Sequence, residues 1–381
     1  MRGRLLPGCV LALLAVVAAP GAAVAATPPE PSVAAPSAIV IDRVTGRVLF
    51  AKDVHRELPM ASCTKIMTAL LVVERRPDLD RYVVAPPGTG SSSGVGLMPG
   101  DRIQIRQALR ALMVKSAGDA AFVLASAVGG SQSGFVDLMN RRAAQLGLHD
   151  THFNNPAGSR RDPGHHSSVY DLARLGRYAM RNPVFRDLAG RRRAVILWPP
   201  NHEVAVLSNN LLLAHDWADG IKCGNTPPAG FCLVGSGCPG LRPLITASLG
   251  SPMRDVAALD SVALFEWVST LYERRAVVTE GEIVRRVPVR NGTEQVAVAQ
   301  TTLSPVVRSA ATVVRKVTLP ASLRTALPPG VVLGTATYSA DGVVLGTVKL
   351  VVAAPAPPPS PTPSPTPSPT PTATPSTPTT A

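Results

Sequence analysis

Ser62 and Lys65 stand three residues apart at the start of a helical pattern, in the stretch Leu58-Pro59-Met60-Ala61-Ser62-Cys63-Thr64-Lys65-Ile66-Met67-Thr68-Ala69-Leu70-Leu71-Val72-Val73-Glu74. One helical turn puts the hydroxyl and the amine on the same face, close enough to bond. A hydroxyl is a weak nucleophile at neutral pH, and a lysine desolvated in a cleft can lose its proton and act as its base. Backbone N–H groups at a helix N-terminus favour the negative charge that develops when such a serine attacks a carbonyl. An isolated S-x-x-K is more often a helix cap beside a solvated lysine, so the reading rests on what accompanies the pair.

The elements that must position this pair are legible on either side of it. Ile66, Ala69, Leu70 and Val73 give the helix one buried face. Ahead of it, the apolar runs 37–42 and 47–51 flank Arg43-Val44-Thr45-Gly46, a hairpin signal. Helical patterns follow at 104–115, 119–128, 135–146 and 168–181; 219–224, 231–234 and 241–249 read as strands, and 252–274 as a closing helix. Strands at both ends with helices between predict an α+β domain, a largely antiparallel sheet flanked by helices. Beyond 275 the pattern turns strand-like, at 283–289, 295–299, 311–319, 331–338 and 343–352, with Asn291-Gly292 and Asp341-Gly342 as tight-turn pairs.

Two further clusters follow in order. One is Leu112-Met113-Val114-Lys115-Ser116-Ala117-Gly118-Asp119-Ala120-Ala121; the other is Asp219-Gly220-Ile221-Lys222-Cys223-Gly224-Asn225-Thr226-Pro227, continued by Ala229-Gly230-Phe231-Cys232-Leu233-Val234. Between them lie Thr151-His152-Phe153-Asn154-Asn155-Pro156-Ala157-Gly158 and Ser167-Ser168-Val169-Tyr170-Asp171-Leu172-Ala173. Together with the first stretch, these segments resemble the serine D-alanyl-D-alanine carboxypeptidases. Those are the low-molecular-weight penicillin-binding proteins (peptidase S11-like), which share S-x-x-K, S-x-N and K-T-G motifs with serine β-lactamases.

The resemblance implies a fold and a set of roles. The fold is a β-lactamase/transpeptidase-like domain over 37–275, followed by a small all-β domain over 276–353 that carries no catalytic residue. Ser62 would attack the carbonyl of the terminal D-alanyl-D-alanine bond and Lys65 would accept its proton. Ser116 would relay a proton to the leaving amine. Lys222 would order that network and attract the substrate carboxylate, with Cys223, Gly224, Asn225 and Gly118 completing the substrate-binding wall. The backbone N–H groups of Ser62 and Asn225 would form the oxyanion hole. No metal or organic cofactor is implied; the partners are peptidoglycan stem peptides and, as covalent inhibitors, β-lactam antibiotics.

Two positions depart from the family pattern. Gly118 replaces the usual asparagine of the second motif, removing an amide worth on the order of 1 to 3 kcal/mol, or roughly tenfold to hundredfold in rate. Cys223 replaces the usual threonine or serine of the third, and a thiol donates a weaker bond to a carboxylate. The leading expectation is therefore a slow or altered D,D-carboxypeptidase. A non-catalytic wall-binding paralogue is the alternative that Gly118 and Cys223 favour. A β-lactamase is a third, but the segment at 154–158 lacks the E-x-x-L-N loop of class A enzymes.

Composition sets the surroundings. The 381 residues suffice for two domains and tails. Met1-Arg2-Gly3-Arg4, an apolar run to Ala19 and the small-residue site Ala23-Val24-Ala25 read as an export signal over 1–26, with a linker at 27–36. From 354 a Pro/Ser/Thr-rich tail reads as a disordered spacer with no membrane anchor visible. The expected location is extracellular or cell-wall associated. The net charge of +13 fits anionic wall polymers better than nucleic acid, for which no reading element is legible. After export Cys63, Cys223, Cys232 and Cys238 remain, which allow three full disulfide pairings and leave an oxidation switch at Cys223 open.

Overall fold

The computed structural model of the protein describes residues 10–17 as backbone, and 28–91, 93–158, 162 and 164–354 in full. They divide into two units: 28–275 with 304–312, and 276–303 with 313–354 and the strand 10–17.

The first unit is built on five antiparallel strands. These are β1 (Ser37–Asp42), β2 (Val48–Lys52), β3 (Ala218–Thr226), β4 (Gly230–Gly237) and β5 (Leu244–Ser251), in the order β2-β1-β5-β4-β3. β1 is buried at every position because both faces of the sheet are covered. Ile39 and Ile41 enter the larger core, while Ala38 and Val40 enter a second core beneath the helix Arg254–Thr270. Alternate residues of a strand point to opposite faces, so a doubly covered strand reads as an unbroken apolar run.

The helix Lys65–Arg75 runs through the larger core, packed by Gly118–Gly129, Gln132–Leu146 and Val169–Ala179. The sequence predicts one buried face, but every residue from Lys65 to Val72 is buried, as expected of a helix surrounded by others. The pattern at 104–115 is split: an α-helix over Ile105–Arg110 loosens into a π-helical turn, Ala111–Lys115, a feature often found at functional sites. The closing helix stops at Thr270, because Tyr272–Arg274 leaves it to pair with Val306–Arg308. The strand expected from 241 starts at Leu244, after Pro243, which has no N–H to give a ladder. A short helix, Pro183–Ala189, and the hairpin Arg193–Trp198 with His202–Leu207 give no clear periodic signal in the sequence.

The second unit is one antiparallel sheet. Its order is Val10–Val17, Val313–Pro320, Val332–Ala340, Val343–Val352, Glu294–Ala299, Ile283–Pro288. Asp341 and Gly342 both take positive φ in the tight turn between two of these strands, the conformation that such pairs favour. The α+β class followed by an all-β unit is thus as the sequence predicts. Of the expected leader only 10–17 is described, as the strand just named; its remainder and the tail from 355 lie outside the described residues. Among the described residues no helix is long and apolar enough to cross a membrane.

Candidate active site

Ser62 lies in a single 3-10 turn, Ala61–Thr64, directly ahead of the helix that Lys65 begins. The serine does not serve as a cap: the N-cap positions are Met60 and Thr64, and neither helix has a side-chain cap bond. Its hydroxyl is left for Lys65, whose Nζ lies 2.9 Å from Ser62 Oγ and donates to Ala157 O at 2.6 Å. Lys65 is fully buried. Burial first, and the nearby positive charge of Lys222 second, lower its pKa from 10.5 to about 7. A substantial neutral fraction at physiological pH, with one N–H held by Ala157, can turn its lone pair to the serine proton.

The Ala157 carbonyl is presented by a turn that Asn155 builds, its Oδ1 accepting from Ala157 N at 3.1 Å and Gly158 N at 2.7 Å. Gly158 has φ +68, and a Cβ there would fall 1.9 Å from Ala61 O, so only glycine lets the turn approach Ser62 so closely. Beneath Ser62, Thr64 Oγ1 donates to Ala61 O at 2.8 Å and lies 2.7 Å from His165 Nε2. His165 Nδ1 accepts from Asn154 N, which leaves the proton on Nε2 to donate to Thr64. Burial lowers the His165 pKa from 6.5 to about 4 and keeps the ring neutral. This chain holds Ala61, itself at φ +46, in the bend that aims Ser62.

β3 forms the facing wall. Lys222 is buried and its Nζ donates to Cys223 O at 2.8 Å. Gly224 backs directly onto Ser62, and Asn225 is exposed one residue further on. Cys223, on the opposite face of the strand from its neighbours, is half-buried against the second core. Cys63 Sγ reaches Lys222 O at 3.7 Å and ties the turn that carries Ser62 to the strand.

A cleft of about 560 Å³ opens over these groups, and its wall includes Ser62, Ser116, Cys223, Gly224 and Asn225. Ser116 ends the π-helical turn in a left-handed conformation, φ 64 and ψ 31, which turns the chain sharply at the cleft. Lys65 and Lys222 stand buried behind the wall. Gly118 does not reach the cleft: it is buried at the head of its helix, with Ser91 and Ser93 packed over it. All four described cysteines are free thiols, so none of the three pairings forms.

Several contributors escape a search by residue type. Ala157 acts through its carbonyl, Asn155 through a turn, and Thr64 and His165 through hydrogen bonds to backbone. The segment 154–158 stands out in the sequence, but nothing in an alanine announces an acceptor for a buried lysine.

A serine held at a helix start by a buried lysine of lowered pKa, edged by a Lys-x-Gly strand, defines a serine acyl-transfer site. The family profile described as D-alanyl-D-alanine carboxypeptidase, peptidase S11, matches residues 23–253. The chain belongs to this family of serine-type enzymes. It is similar to D-alanyl-D-alanine carboxypeptidase DacF of Bacillus subtilis, 29% identical over 280 residues that make up 71% of each chain. It is also similar to DacB2 of Mycobacterium tuberculosis, 32% identical over 255 residues, 65% of this chain and 87% of the relative. Among solved structures, the Streptomyces K15 DD-transpeptidase superposes with a TM-score of 0.59 at 28% identity, covering 63% of this chain and 98% of that one. Penicillin binding protein 5 from Haemophilus influenzae has a TM-score of 0.63 at 23% identity, covering 85% and 98%, and is alike in fold.

Proposed function

We propose that the protein is an exported D,D-carboxypeptidase that removes the terminal D-alanine from peptidoglycan stem peptides and is acylated by penicillin. The observation that carries this reading is the 2.9 Å approach of Lys65 Nζ to Ser62 Oγ, with the lysine desolvated to a pKa of about 7. Ser62 Oγ attacks the carbonyl carbon of the terminal peptide bond and its proton passes to Lys65. The C–N bond then breaks, the departing amine of D-alanine takes a proton by way of Ser116, and an ester to Ser62 remains. Water hydrolyses that ester and releases the shortened peptide. Lys222 and Cys223 receive the terminal carboxylate; the N–H groups of Ser62 and Asn225 receive the oxyanion. The basic leader and its small-residue cleavage site support export.

The test exposes the purified mature protein to a fluorescent penicillin and to a D-alanyl-D-alanine peptide, with Ser62→Ala as control. Covalent labelling and D-alanine release by the wild type alone are expected. Absence of both from the wild type would replace the enzyme by a wall-binding paralogue.

A further inference from the structure

Two glycines interlock the second motif with the loop that crosses it. A Cβ on Gly118 would stand 2.4 Å from Ser91 Oγ, 3.0 Å from Ser91 Cβ and 3.4 Å from Ser93 Oγ. A side chain at 118 would therefore press on Ser91 and stand in ordinary contact with the hydroxyl of Ser93, the two hydroxyls being themselves 3.2 Å apart. Reciprocally, a Cβ on Gly94 would strike the carboxylate of Asp119 at 2.1 Å. Each segment lacks a side chain where the other supplies one.

Asp119 turns this fit into an attachment. Its carboxylate is buried, and Oδ2 accepts from the N–H groups of Val95 at 2.9 Å, Gly96 at 3.0 Å and Leu97 at 3.0 Å; Oδ1 accepts from Ala120 N at 2.7 Å. A buried carboxylate with four donors holds the loop tightly, since releasing it would strand a charge. On the cleft side, Ser93 is exposed and forms part of the wall with Ser62 and Ser116, whereas Ser91 stands behind it and is within hydrogen-bond reach of Ser93. Ser93 also places its carbonyl 3.4 Å from Gly118 N.

We propose that Ser93 is a substrate-binding residue of this enzyme, its hydroxyl taking the place of the amide that Gly118 cannot supply, with Ser91 as its positioning residue. A hydroxyl carries one donor and two acceptor sites, so it can receive a peptide N–H of the stem peptide or donate to its carbonyl while keeping its bond to Ser91. The loss expected from a bare glycine in the second motif is thereby made good from a neighbouring loop. The proposal rests on the carboxypeptidase reading of the cleft and deepens it.

The experiment measures two quantities. One is the affinity of diacetyl-L-lysyl-D-alanyl-D-alanine for the Ser62→Ala protein with and without Ser93→Ala. The other is the rate of Ser62 acylation by fluorescent penicillin in the wild type, Ser93→Ala, Ser93→Thr and the triple variant Ser91→Gly/Ser93→Ala/Gly118→Asn. Ser93→Ala is expected to weaken peptide binding and slow acylation, each about tenfold, for loss of one hydrogen bond to the substrate. Ser93→Thr, which keeps the hydroxyl, and the triple variant, which gives an amide the vacated room, are expected to recover most of it. Gly118→Asn alone is expected to lower both quantities, because Ser91 is in its way. Binding and acylation by Ser93→Ala within twofold of its parents would overturn the proposal and leave the carboxypeptidase reading standing. A wild type that is never acylated, but whose Ser62→Ala form loses peptide affinity on Ser93→Ala, would keep the role of Ser93 and remove the catalytic reading.

Discussion

A Cβ on Gly224 would lie 2.4 Å from the backbone nitrogen of Ser62 and 2.9 Å from its Cα and Cβ. The edge strand and the turn that carries Ser62 are in backbone contact, and the missing Cβ permits it. Gly224→Ala must push β3 away from Ser62 by an ångström or so. A misplacement of this size costs on the order of a hundredfold in rate. Acylation by fluorescent penicillin is expected to fall by about that factor, while far-UV circular dichroism stays that of the wild type because the rest of the sheet is untouched.

The lysine pair predicts a pH profile. In its proposed role as base Lys65 acts only when unprotonated, so the acylation rate should rise with pH and level off around a midpoint near its pKa of about 7. Lys222 lowers that pKa by its charge, so Lys222→Gln should move the midpoint upward. A merely lost substrate contact would lower the plateau and leave the midpoint in place; acylation rates from about pH 5 to pH 9 separate the two.

The same burial has a stability cost. In the unfolded chain Lys65 titrates near 10.5 and in the folded one near 7, so between these values the unfolded state binds more protons. Stability therefore rises with pH across that window and is lowest below it. Lys65→Met, which fills the same space without a charge to desolvate, should raise the melting temperature, most at pH 7 and below, and abolish acylation. Melts at pH 6 and pH 10 check the sign: the gain should be smaller at the higher pH.

Ser62, Lys65, Ser116 and the run 222–225 could be singled out in the sequence because the proposed acyl transfer calls for those residue types at short fixed spacings, and the fold brings Ser62, Ser116 and 223–225 to one cleft. β1 was legible because a doubly covered strand leaves an unbroken apolar run. What could not be read is what acts through backbone. Ala157 offers only a carbonyl, and the bend at Ala61 depends on Thr64 and on His165, a hundred residues downstream. Gly118 reads as a deletion of function in one dimension; its replacement, Ser93, comes from a loop that only the fold brings over it. The short hairpin at 193–207 hides for another reason: its exposed apolar residues Val195, Leu197 and Leu207 blur the alternation.

His165 should make the protein sensitive to mild acid. Its folded pKa of about 4 lies below the ordinary 6.5, so the folded state resists protonation. The stability that the neutral ring contributes is present above pH 6.5 and is lost as pH falls toward 4, in total roughly 3 kcal/mol. Protonation also deprives Asn154 N of its acceptor. Thermal melts between pH 7 and pH 4.5 should show a falling limb that His165→Gln flattens; equal slopes in the two proteins would show that other groups govern the acid limb.

The four described thiols should sort by surroundings when the mature protein meets iodoacetamide. Burial raises the Cys63 pKa well above the ordinary thiol value and lifts that of Cys232 to about 12, so neither offers a thiolate or access. Cys238 is exposed, with its Sγ 3.3 Å from Gly240 O, and stands outside the cleft wall; Cys223 is half-exposed within it. Peptide mapping should find label on Cys238 and Cys223 only. In the proposed role of Cys223, a carbamidomethyl group there would occupy the room of the substrate carboxylate, so label there should block penicillin while label on Cys238 does not. The variant Cys223→Thr separates the two: it should resist inactivation by iodoacetamide. If position 223 meets the carboxylate as proposed, the stronger donor should also lower KM for the D-alanyl-D-alanine peptide by several-fold, about the worth of one improved hydrogen bond. Inactivation of Cys223→Thr at the wild-type rate would place the sensitive thiol elsewhere.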